Sequence, residues 1–166
     1  MTRFGAEGDN EAMETLFDPA APSHFIARIE SLTMESRPEW GKMNVEEMLL
    51  HTQRAVAIAL ASEPMARSMV GRLFGWLGKR MFITSGKPFS KNGPTDPRMV
   101  FKVESVTAAK VEAAKAKLIE SVEEMNRRGP GGMPSGPHPF FGTLTPEEWD
   151  LLSAKHIDHH LRQFGV

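Results

Sequence analysis

The 166-residue chain contains no cysteine and no tyrosine. The first absence excludes a disulfide scaffold, thiolate zinc sites and a cysteine nucleophile, while leaving the redox compartment open. The second excludes a tyrosine acid or base. Long apolar runs are also missing. The longest, Ala55 to Ala61, is far below the roughly 20 residues a membrane-spanning helix needs. Met1 to Asn10 lacks the basic-then-apolar pattern of a secretory leader. A cytoplasmic protein without a membrane partner is therefore expected. The chain has no phosphate-binding Gly-Lys-Ser/Thr loop, no dinucleotide fingerprint and no Gly-x-Ser-x-Gly elbow. Its net charge is −1, so no nucleic-acid partner is expected either.

The composition, 40% hydrophobic and 25% charged, suits one globular domain with a sizeable core. Residues 1–10 read as a flexible N-terminus and 11–166 as a single domain. Charge is placed unevenly. Residues 1–63 carry a net −6, residues 64–102 a net +7 and residues 103–166 a net −2. The middle island holds Arg67, Arg72, Lys79, Arg80, Lys87, Lys91, Arg98 and Lys102. Such an island can attract an anionic ligand or small-molecule substrate, a membrane surface or nucleic acid; the bland alternative is a solvated connector that balances the acidic remainder.

Periodicity predicts helices and almost no strands. Phe25, Ile26, Ile29 and Leu32 recur at helical spacing within Pro22 to Leu32. Asn44 followed by Glu47 is an N-cap pair for a helix from Val45 to about Ala61. Residues 64–83 read as a further helix, with Met65, Met69, Leu73, Trp76 and Leu77 as its apolar partners. Thr107 caps a helix that runs to Arg128 and stops at Gly129. Thr145-Pro146-Glu147-Glu148 supplies a cap, a proline at the first helical position and a capping-box glutamate for a last helix ending near Gln163. Residues 84–100 and 129–139 are rich in glycine and proline and read as loops. The fold class expected is all-α: a four-helix bundle with a long crossover, Ser62 to Val106, between the second and third main helices.

The chemistry concentrates in six histidines. Counted from Trp149 at about 100° per residue, His156 falls at about 340°, His160 at about 20° and Gln163 at about 320°. The pair therefore lies in an apolar stripe, opposite Lys155, Asp158 and Arg162. Two imidazoles four residues apart on one helix face can share a metal ion. His51, on the Met48-Thr52-Ala55-Ala59 side of its helix, supplies a third nitrogen. Three protein ligands with an open position is the arrangement of a catalytic rather than a structural site. The bland alternative is that these are core histidines bonded to carbonyls or acids. His138, before Pro139-Phe140-Phe141-Gly142, is a candidate acid/base or anion-binding residue at the pocket mouth, or a loop histidine. Gln163 is a candidate for binding substrate or cofactor, or for orienting a ligand. His159 lies on the flank, His24 reads as a surface residue, and Trp40, Trp76 and Trp149 read as core.

One histidine on the second main helix, followed by His156-Ile-Asp-His-His160-Leu-Arg-Gln163 on the last, resembles the DinB/YfiT-like metalloenzyme superfamily. The segments Pro38-Glu-Trp-Gly-Lys-Met-Asn44 and His138-Pro-Phe-Phe-Gly-Thr-Leu-Thr-Pro-Glu-Glu-Trp149 look like an uncharacterised branch of it. The resemblance spans roughly Leu16 to Gly165. It implies a four-helix bundle holding one divalent metal ion, zinc or nickel, through His51, His156 and His160. It also implies a thiol-dependent transferase that takes its low-molecular-weight thiol as a cosubstrate, since the chain has no cysteine. Hydrolysis of a small molecule is equally open chemically. Two other readings stand beside the enzyme: a non-catalytic metal- or ligand-binding bundle, and a metal-free homodimer packed through the histidine face.

Overall fold

The computed structural model describes residues 15–85, 87–134 and 136–166. The expectation for residues 1–10 lies outside these. Among the described residues the structure is all-helical, with five α-helices and no strand beyond an isolated bridge between His138 and Gly142. The helices are α1 (Ala21–Glu30), α2 (Val45–Ala59), α3 (Met69–Phe82), α4 (Ala108–Arg128) and α5 (Pro146–Gln163). Short 3-10 turns occur at Pro97–Met99 and Pro130–Gly132, inside the two segments read as loops.

Local chemistry sets the helix ends. At α2 the Asn44 side chain accepts the Glu47 N–H and the Glu47 carboxylate accepts the Asn44 N–H; Thr145 and Glu148 repeat this box at α5. Thr107 caps α4, and Gly129, at φ +56°, ends it. α2 stops at Ala59, two residues before the expected end, and Ala61 has turned to φ +55°.

Four helices enclose the core. α2 packs on α4 and α5, and α1 packs on the same two. Phe25, Ile29, Met48, Leu49, Leu118, Met125, Ile157 and Leu161 are all at most 1% exposed. α4 contributes its predicted stripe of Val111, Ala114, Leu118, Val122 and Met125. Asp158 lies away from this core, paired with Arg28 and Arg162.

α3 corrects the sequence reading. Its helical character holds, but it turns glycine rather than Leu73 and Trp76 inward. Gly71, Gly75 and Gly78 are buried, while Met69, Leu73, Trp76 and Leu77 are 72%, 66%, 69% and 40% exposed. The glycines sit i, i+4, i+7, so they share one face, and that face rests on the 139–142 loop. A Cβ on Gly71 would lie 2.6 Å from both the Cα and the carbonyl oxygen of Phe140. Close approach to backbone, which only glycine allows, outweighs apolar burial here. The seat is completed by the Ser68 N–H to the Pro139 carbonyl (3.0 Å), Lys79 to Glu148 (2.7 Å) and Lys155 Nζ to the Phe82 carbonyl (2.7 Å). Lys155 thus places a cation at the C-terminal end of α3, where the helix dipole favours it.

Gly71→Ala carries an expected result of unusual sign. Alanine normally stabilises a helix interior by about 1 kcal/mol over glycine. Here the added methyl meets backbone, and we expect a loss of about 1–3 kcal/mol, as for overpacked sites. A chemical-denaturation midpoint that rises instead would mean that α3 is not seated on this loop.

Candidate metal centre

α2 and α5 pack on each other, and the three histidines meet at that contact. His156 Nε2 lies 3.0 Å from His51 Nε2 and 3.1 Å from His160 Nε2. The rings stand nearly edge to face, at interplanar angles of 65° to 84°, with centroids 4.6 to 4.9 Å apart. Each therefore turns one nitrogen edge toward a common point. By residue, His51 and His160 are buried and His156 is partly exposed.

The outer nitrogens fix the protonation pattern. His51 Nδ1 lies 2.9 Å from the Met99 carbonyl oxygen, which can only accept, so Nδ1 carries the proton. His160 Nδ1 lies 2.8 Å from Gln163 Oε1. The Gln163 amide cannot be turned around, because its Nε2 donates to the Trp40 carbonyl at 2.7 Å. His160 Nδ1 is thus also a donor. Both His51 and His160 then present bare Nε2 lone pairs to His156. One imidazole N–H can satisfy only one of them. A single cation between the three satisfies all.

That cation is not a proton near neutral pH. Burial, followed by the neighbouring His51, lowers the His160 pKa to about 3. Burial and the adjoining imidazoles push His156 well below its ordinary value, and burial lowers His51. The donor set is three neutral imidazole nitrogens, two of them oriented by carbonyl oxygens, which is how metal-binding histidines are held. Two nitrogens on a tetrahedral zinc at 2.0–2.1 Å lie about 3.3 Å apart. The two spacings from His156, 3.0 and 3.1 Å, need to open by only a few tenths of an ångström, and all three nitrogens lie within 4.8 Å of one another, so the residues fit the ion.

Gln163 therefore sits one step behind the cluster, bracing His160. Gly41, at φ +83°, lets the 38–44 segment close on it; a Cβ there would run into the Gln163 amide nitrogen. For Gln163→Leu we expect about 10- to 100-fold weaker metal affinity with the helical content unchanged. An unchanged affinity in a competition titration would remove the bracing role.

His138 is not part of the cluster. Its Nδ1 accepts the N–H groups of Phe140 (3.0 Å) and Phe141 (3.1 Å), and its ring packs between Phe141 and Trp149. Burial lowers its pKa to about 4. It shapes the turn on which α3 rests, and its Nε2–H is the edge left for any further role. Beside the cluster, the Phe89 ring lies 6.3 Å from His156 and 5.8 Å from His159. Trp40 lies 5.9 Å from His159, with Lys91 Nζ 4.1 Å above the Trp40 ring. Trp149 is buried as expected, Trp40 is half-buried, and Trp76 is exposed rather than core. A broad surface groove along α2 and α4, at Gln53, Glu63, Lys117 and Glu124, contains none of the histidines.

The carbonyls of Met99 and Trp40 were invisible to sequence reasoning. A backbone carbonyl has no residue signature, and both come from irregular segments whose docking is tertiary. Gln163 was visible by its place on the histidine face, although its bond to Trp40 was not.

A family described as a protein of unknown function (DUF1569) matches residues 14–165. The chain belongs to the DUF1569 family. No curated protein and no solved structure matches it. The DUF1569 match encloses the whole cluster and its braces, from Trp40 to Gln163.

Proposed function

We propose that this DUF1569 protein is a mononuclear metal-dependent enzyme whose ion, zinc or nickel, is held by Nε2 of His51, His156 and His160. The observation that carries the reading is the convergence of these nitrogens within 4.8 Å of one another, with two of them held as bare lone pairs by carbonyl oxygens. The helix pairing of α1, α2, α4 and α5, with α3 inside the long α2–α4 connection, supports a DinB/YfiT-like four-helix bundle with a crossover.

The partly exposed edge at His156 supports an open coordination position, and hence catalysis over a purely structural ion. When bound, the ion would supply Lewis acidity toward a thiol or a water molecule. His51 and His160 hold their donor protons on Nδ1, away from the ion, and stay neutral. Phe89 and Trp40 flank His156 and His159, and Lys91 offers a cation to an anionic small-molecule substrate. The chain has no cysteine, so a thiol arrives as cosubstrate. The reaction proposed is thiol-dependent group transfer, with hydrolysis as the second reading.

Cobalt(II) substitution tests both levels. Visible bands of three-nitrogen coordination are expected on loading. A new thiolate-to-cobalt charge-transfer band on adding glutathione supports the transferase. Unchanged bands leave the hydrolase, and no bands at all overturn the metal site.

A further inference from the structure

Ten large hydrophobic residues are exposed among the described residues, and eight of them lie on α3: Met69, Val70, Leu73, Phe74, Trp76, Leu77, Met81 and Phe82. Such clustering on one surface element marks an interaction site, whereas scattered exposed apolar residues are ordinary. On the helix, Trp76, Met69, Leu73, Leu77, Val70, Met81 and Phe74 fill an arc of about 160° facing away from the glycine face. The protein body beneath that face stands where the polar side of an amphipathic helix would be. Arg72 and Arg80 are exposed within or beside the apolar arc. No acidic residue occurs from position 64 to 95. The flanking carboxylates are engaged: Glu63 with Arg54, and Asp96 with Arg98.

We propose that α3 is an interfacial helix that seats the protein on an anionic lipid bilayer, lying in the plane of the headgroups. Apolar residues including tryptophan on one side, with long cationic side chains that can reach past them to headgroup phosphates, are the chemistry such a surface takes. A second copy fits less well. Packing two α3 faces together would bring Arg72 and Arg80 of one against those of the other with no carboxylate between them. No helix among the described residues is long and apolar enough to cross a membrane. At about 21 Å, α3 is also shorter than a bilayer core. The seat on the 139–142 loop explains the glycines: they hold the helix tightly to the body while its apolar side faces outward.

The test is vesicle flotation of the full chain at low ionic strength. Phosphatidylcholine vesicles are compared with vesicles carrying about 30 mol% phosphatidylglycerol, a strongly anionic surface. The wild type is expected to float with the anionic vesicles and to show a blue shift of Trp76 emission. Leu73→Glu with Phe74→Glu, which keeps the Trp76 reporter, is expected to abolish both. Arg72→Gln with Arg80→Gln is expected to weaken binding about 25-fold, from roughly fivefold per arginine. Both pairs are surface substitutions, and an unchanged helical signal checks the fold. A wild type that stays out of anionic vesicles overturns the proposal. So does a Glu variant that floats as well as the wild type. A wild-type dimer that the Glu variant splits would assign the face to a second copy instead.

Discussion

His51→Ala is expected to lower metal affinity by about two to three orders of magnitude. Zinc sites with four ligands reach apparent binding free energies of about 10–16 kcal/mol, or roughly 3 kcal/mol for each ligand. His51 is the one ligand from α2, so its loss also cuts the tie between the two helices that form the site. The apo fold should survive. The substitution leaves the Met99 carbonyl without its donor, at a cost of about 1–3 kcal/mol. It also relieves the opposition of bare lone pairs at His156. His51→Leu, which refills the volume without a nitrogen, separates the two effects. Both variants should lose metal, and the leucine variant should keep more of the metal-free stability. A His51→Leu protein with wild-type affinity would show that the ion, if any, binds elsewhere.

Without metal, the protein is expected to lose stability steeply between pH 6.5 and about 4. Free imidazoles titrate near 6.5. In the folded chain His160 titrates at about 3 and His138 at about 4, and burial also lowers His51, His156 and His159. Below pH 6.5 the unfolded chain therefore binds protons that the folded chain refuses. Stability is complete above that value and falls as pH drops toward the folded values. For His138 and His160, whose folded values lie well below 5, each pH unit costs about 1.4 kcal/mol per group. That amounts to a loss on the order of 4 kcal/mol by pH 5, a large share of a domain's 5–15 kcal/mol. Asp150 runs the other way, since burial raises its carboxyl, but it is one group against five. Urea midpoints at pH 7.5 and pH 5, measured with chelator present, check this. Equal midpoints would mean that the histidines are solvated rather than buried and neutral.

How much of this was legible in the sequence follows from which forces are local. The caps at Asn44, Thr107 and Thr145 and the stop at Gly129 are backbone chemistry within a few residues, and they set α2, α4 and α5 nearly to the residue. The histidine cluster was legible because helical geometry places His156 and His160 on one face, leaving only His51 to be brought in by tertiary packing. α3 was misjudged in orientation for a physical reason. A period of apolar residues says which face is apolar, and burial is then inferred from the hydrophobic effect. In α3 the opposite face carries Gly71, Gly75 and Gly78, and seating against the Phe140 backbone decides the matter. The glycine spacing was itself in the sequence, and it reads as a close-packing ridge as well as an interruption. The second layer of the site, the carbonyls of Met99 and Trp40, depends on where two irregular segments come to rest, and no residue type announces that.

The central claim is a single metal ion bound by three histidines, and elemental analysis by mass spectrometry tests it most directly. The protein would be purified without a histidine tag or chelator, with His51→Ala and His160→Ala in parallel. The account predicts close to one zinc or nickel ion per chain in the wild type and almost none in either variant, with the helical signal retained. A wild type that holds no metal after supplementation with zinc, nickel, manganese and iron would contradict it, as would variants that keep their ion.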